Sequence, residues 1–128
     1  MPATPYTQAV ISAIERREDP VDQLLEVARV VRSVVRFESD LALYGCKQRV
    51  ASVEETLRQG AGDCEDFAWV CHELAVAMGV PEESLTLQHC MLPAGEQHAV
   101  LSYRRGELLI DSLLDARMRQ NLNLCWMV

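Results

Sequence analysis

The chain has 128 residues, of which 49% are hydrophobic and 24% charged, and its formal net charge is −7. A chain of this length forms one domain, residues 1–128, with a core of its own, and the acidic balance argues against a phosphate-binding surface, so nucleic acid is not an expected partner. The opening "MPATPYTQAVISAIERRED" has no basic segment followed by a long apolar one, and no apolar run approaches the roughly 20 residues of a membrane span. The expectation is a cytoplasmic protein without membrane insertion, or a periplasmic one if a leader has been removed.

Pro2 and Pro5 mark a loose start, and residues 1–18 read as loosely ordered or as a short helix within "TQAVISAIERRE". A longer helix follows in "DPVDQLLEVARVVRSVVRFESD". Asp19 is its cap, Pro20 takes the favoured first helical position, and Leu24, Val27, Val31, Val34 and Val35 recur at helical spacing. "LALYGCKQRVA" reads as irregular. "SVEETLRQG" carries a capping-box pattern, Ser52 with Glu55, and stops at Gly60.

The central helix begins in "GAGDCEDFAW". Asp63 is a good N-cap with Asp66 at the third helical position, and Cys64, Ala68, Cys71, Ala75 and Met78 form one apolar stripe that ends at Gly79, with Pro81 just beyond. Cys64 therefore sits in the first turn and points towards the core, while the acidic neighbours leave the stripe. Free backbone N–H groups and the positive end of the helix dipole gather there, and both favour a thiolate.

Beyond Pro81 the period becomes alternating. "SLTLQHCML", "QHAVLSY" and "ELLIDS", separated by the turns "PAGE" and "RRGE", read as an antiparallel meander. With Arg105-Gly106 as the hairpin loop, Tyr103 opposes Leu108 and Val100 opposes Asp111. His98 and Asp111 then share a face as diagonal neighbours, about 7–8 Å apart at the backbone, a gap their side chains bridge.

Five cysteines, at 46, 64, 71, 90 and 125, are odd in number and contain no C-x-x-C pair. Neither a disulfide framework nor a zinc site fits that pattern well, and Cys71-His72 with His89-Cys90 read better as buried or structural groups than as a metal cluster. A cysteine at a helix start with a His–Asp pair on neighbouring strands is the set of parts a thiol nucleophile needs. The histidine takes the thiol proton and the carboxylate orients the histidine. Asp63, Glu65 and Asp66 have two readings: a helix cap with a solvated glutamate, or oxygen ligands of a Ca²⁺ ion that must recruit further ligands.

The segments "GDCEDFAWVCHELAVAMGVPEESLTL", "HAVLSY" and "LLIDSLLD", with "YGCKQRVASVEETLRQG" upstream, resemble the bacterial transglutaminase-like cysteine proteinases over about residues 40–128. The resemblance implies an α+β, papain/transglutaminase-like fold in which N-terminal helices and a central Cys-bearing helix pack on an antiparallel sheet. It implies Cys64 as nucleophile, His98 as base and Asp111 as orienter of a thiol-dependent amide hydrolase. That enzyme would act on a protein or peptide through an acyl-thioester, with the oxyanion met by the Cys64 N–H and a second donor not identified. It further implies calcium at Asp63, Glu65 and Asp66, and no organic cofactor. A glutamine acyl transferase or deamidase would use the same triad, and a degenerate protein-binding module would keep only the fold. Two departures from the family pattern stand out: Gln48-Arg49-Val50 in place of an aromatic triplet, and Ser112 in place of the usual Asn after the catalytic Asp. The compact, leaderless form suits a phage- or prophage-encoded relative.

Overall fold

The computed structural model describes residues 5–38, 52–91, 97–111 and 126–127. The expectations for "LALYGCKQRVA", for the "PAGE" turn, for Gln48-Arg49-Val50, for Ser112 and for the side chains of Cys46, Cys90 and Cys125 lie outside what it describes.

Helices come first, as the periodicity predicts. Helix α1 spans Pro5–Ala13 and α2 spans Pro20–Val34. The Asp19 side chain accepts from the Asp22 N–H at 3.1 Å, and Pro20 begins the helix, so cap and first turn are those read from the sequence. Leu24, Val27 and Val31 are buried as the stripe requires, but Val34 is 39% exposed. The chain leaves the helix at Val35, whose extended backbone (φ −120°, ψ 115°) turns its side chain into the core in place of Val34. The 15–17 loop is pinned by two buried polar residues of α2. Gln23 donates to the Glu15 carbonyl and accepts from the Arg17 N–H, and Glu26 accepts from the Glu15 N–H and from Arg29.

Strand β1 (Arg36–Phe37) pairs in parallel with β2 (Ala61–Gly62), either side of helix α3 (Val53–Gln59). Helix α3 starts on a Ser52 hydroxyl that accepts from the Glu55 N–H and ends on Gly60 in the left-handed region at φ 68°, a conformation glycine adopts without a Cβ penalty. Helix α4 (Cys64–Ala77) follows immediately. Its stripe of Ala68, Cys71, Ala75 and Met78 is buried and packs with Leu24, Val27 and Val31 of α2.

A short 3₁₀ turn, Glu82–Ser84, leads into β3 (Leu85–Met91), followed by β4 (Gln97–Tyr103), β5 (Leu108–Ile110) and β6 (Trp126–Met127). These form a four-stranded antiparallel sheet in the order β5-β4-β3-β6. Tyr103 pairs with Leu108 and Leu101 with Ile110, the register derived from the hairpin. The turn itself is looser than a two-residue loop. Arg104, Arg105 and Gly106 all have positive φ, the Arg104 N–H donates to the Ser84 carbonyl, and the Glu107 N–H reaches Arg104 at 3.4 Å. Leu85, Leu101, Tyr103, Leu108 and Ile110 complete the core begun by α2 and α4. The architecture is α+β, as read from the sequence.

Candidate active site

The start of α4 is built by a reciprocal cap. The Asp63 side chain accepts from the Asp66 N–H at 2.9 Å, and the Asp66 side chain accepts from the Asp63 N–H at 3.0 Å. Two otherwise orphaned donors are thereby satisfied, and neither is the N–H of Cys64. Asp66 does not point away from the core as its place off the stripe suggested; it is only 3% exposed. Its carboxylate is folded back under the chain, and Gly62 makes the room. A Cβ at position 62 would lie 2.7 Å from the Asp66 Cβ.

Cys64 is the first residue of α4 and is half-buried. His98 lies on β4 and Asp111 directly follows β5. Both are buried, and the His98 Nε2 stands 2.9 Å from the Asp111 Oδ2. Cys64 acts on the same imidazole and favours its protonated form. With Nε2 committed to Asp111, Nδ1 is the nitrogen left for the sulfur. The Asp111 hydrogen bond first, and Cys64 second, push His98 up to about 10 from its ordinary 6.5, against the opposing effect of burial. A buried imidazole, carrying a positive charge at neutral pH, is thus bonded to a buried carboxylate and influenced by a thiol at a helix start.

Other sequence candidates fall elsewhere. Cys71 is fully buried, and loss of solvent pushes its thiol well above the usual range, an effect the Arg32 charge only partly offsets. His72 is buried on α4, edge-on to Trp69 with ring centroids 5.3 Å apart, and His89 is exposed with its Nε2 3.8 Å from Glu65.

The calcium expectation meets a partial fit. Asp63 and Asp66 each commit an oxygen to the cap, while Glu65 faces His89. Among the described residues no group of three or more His, Cys, Asp or Glu side chains converges as a metal site. The acidic collar therefore supplies at most part of the six to eight oxygens that Ca²⁺ takes.

Sequence reading missed Arg32. In the sequence it is only a basic residue in the last turn of α2, where any arginine complements the helix dipole. In the fold its Nη2 donates to the backbone carbonyl of Asp111 at 2.7 Å, and its guanidinium lies over the Phe67 ring at 5.4 Å. Arg32 and Phe67, with Val35, Arg36, Phe37 and Gly62, line a cleft of about 230 Å³. Two of these lining residues, Gly62 and Phe67, lie within three positions of Cys64 in the chain.

The fold and the family match together define the class: a cysteine peptidase of transglutaminase-like fold. The family model for bacterial transglutaminase-like cysteine proteinases matches residues 5–121, and the chain belongs to that family. Among solved structures the chain is similar to three forms of LapG from Legionella pneumophila. One is matched at 23% identity over 99% of this chain and 76% of that one, with a TM-score of 0.78. An EGTA-treated form is matched at 24% identity over 99% of this chain and 74% of that one, with a TM-score of 0.77. A calcium-bound form is matched at 26% identity over 96% of this chain and 70% of that one, again with a TM-score of 0.77. No curated protein matches the sequence.

Proposed function

We propose that the protein hydrolyses an amide bond of a protein or peptide through a Cys64–His98–Asp111 triad. The observation that carries this reading is the buried His98 imidazole, hydrogen-bonded to Asp111 at 2.9 Å and held in its protonated form by Asp111 and Cys64 together. The imidazolium stabilises negative charge on the sulfur, and Asp111 fixes the ring and balances its charge. The sulfur attacks the substrate carbonyl carbon and a C–S bond forms. The oxyanion is met by the Cys64 N–H, which the Asp63–Asp66 cap leaves unused. Collapse breaks the C–N bond, and His98 gives its proton to the departing amine. His98, now neutral, takes a proton from water as that water attacks the thioester. The acid is released and the sulfur regenerated. The cleft between Arg32, Phe37 and Phe67 receives the substrate segment next to the scissile bond.

Calcium forms the second part of the proposal. Asp63, Glu65 and Asp66 would hold it together with ligands from other parts of the chain, and its charge would offset the acidic collar around the sulfur. Support comes from the three carboxylates gathered at the α4 start and from the calcium-bound form of LapG.

Alkylation of the intact protein by iodoacetamide at mildly acidic pH, with mass mapping, tests the nucleophile. Cys64 is expected to react well ahead of the other cysteines, Cys64→Ser to abolish the fast reaction, and His98→Ala to slow it more than His72→Ala or His89→Ala. Labelling of Cys64→Ser at the wild-type rate removes the assignment.

A further inference from the structure

We infer that Arg32 is a positioning residue for the triad, holding Asp111 in place through its main chain. Asp111 lies just past the end of β5, where the sheet ladder no longer fixes the backbone. A carboxylate that must meet an imidazole at 2.9 Å needs its own peptide held still. The Arg32 guanidinium does this from across the molecule. Its Nη2 donates to the Asp111 carbonyl at 2.7 Å, over a separation of 79 residues in the chain. The guanidinium is itself oriented by the Phe67 ring, one turn into α4 from Cys64. Arg32 therefore joins the three elements on which the site depends: α2 by its backbone, α4 by stacking, and the end of β5 by its hydrogen bond. A lysine would offer one ammonium with no plane to stack, whereas the guanidinium performs both contacts at once.

The inference rests on the roles proposed for His98 and Asp111. The side chains that raise the proton affinity of His98 are Asp111 and Cys64, and Arg32 is not among them. Loss of the Arg32 charge by itself would favour the imidazolium, so a fall in the His98 midpoint reports on the placement of Asp111.

The test uses the full chain with Arg32→Met, which keeps apolar bulk over Phe67 and removes the donor, and Arg32→Lys, which restores a donor. Two quantities are read: the titration of the His98 imidazole by NMR, and the rate of Cys64 alkylation by iodoacetamide. Arg32→Met is expected to lower the His98 midpoint by about one pH unit or more, a tenfold change in proton affinity. It is also expected to slow alkylation roughly ten- to a hundredfold, with Arg32→Lys, which restores the donor without the stacking plane, recovering only part of both. A folded Arg32→Met whose His98 midpoint and alkylation rate both match wild type overturns the inference, even if its melting temperature falls, because packing alone would then account for Arg32. Should Arg32→Met fail to fold, Arg32→Leu, which also lacks a donor, is read the same way. A wild-type Cys64 that alkylates no faster than the other cysteines counts instead against the catalytic reading itself.

Discussion

Replacing Asp111 by asparagine isolates the charge of the buried carboxylate while keeping its shape. His98 is held at about 10 against an ordinary 6.5, and the Asp111 hydrogen bond is the largest cause. A difference of that size corresponds to roughly 5 kcal/mol of preference for the imidazolium at most, since one pH unit is about 1.4 kcal/mol. An asparagine carbonyl still accepts from Nε2, so Asp111→Asn is expected to remove about half of it and to bring the His98 midpoint down by about two units. The NMR titration of the imidazole measures this directly. Because His98 binds its proton more tightly in the folded than in the unfolded protein, the pair stabilises the fold fully below about pH 6.5, and that contribution is lost as pH rises towards 10. Asp111→Asn should therefore flatten the alkaline loss of stability seen in wild type. It should also cut the peptidase or alkylation rate at neutral pH by roughly 10²- to 10⁴-fold, as expected for loss of the group that holds the imidazolium. A variant whose His98 still titrates near the wild-type midpoint, with its rate intact, refutes the argument that this carboxylate sets the charge of the imidazole.

Further outcomes follow from the same contacts. Gly62→Ala forces a Cβ to 2.7 Å from the Asp66 Cβ, so a destabilisation of about 1–3 kcal/mol is expected, and a melting temperature equal to wild type would show that the cap has room to yield. Glu26 is held down at about 2, chiefly by its hydrogen bond with Arg29, so stability should fall as pH drops from 4.5 towards 2; Glu26→Gln should lessen that acid dependence, and an unchanged acid limb would contradict it. Metal-free protein should gain thermal stability on adding CaCl₂, by about 2.7 kcal/mol at a hundredfold excess over Kd, and Glu65→Gln should reduce the gain. Glu65 is chosen because Asp66 also caps α4, and its loss would destabilise the fold with or without an ion. No gain in the wild-type protein would remove calcium from the proposal.

Features that depend on neighbours in the chain were legible before any coordinates. Asp19, Ser52 and Asp63 start three helices because each offers a side-chain oxygen to an N–H three residues on, and Gly60 ends one because it tolerates the left-handed region. The meeting of His98 and Asp111 was legible for the same reason. A short hairpin ties register to loop length, so the pairing of Tyr103 with Leu108 carries the His–Asp geometry with it even though the turn opened at Arg104. Such features are set by backbone geometry over a few residues and need no knowledge of the rest of the fold.

Only the tertiary structure decided what distant segments do to one another. The parallel pairing of β1 with β2, the docking of β6 beside β3, and the burial of Asp66 against Gly62 each depend on chain packing that local periodicity does not encode. Val34 and Val35 make the point at a single step, since both fit the helical stripe until the chain leaves the helix and only the second turns inward. Arg32 is the furthest case. Its sequence context is that of any basic residue near a helix end, and its contact with the Asp111 carbonyl exists only because α2, α4 and the end of β5 are brought together by a shared core.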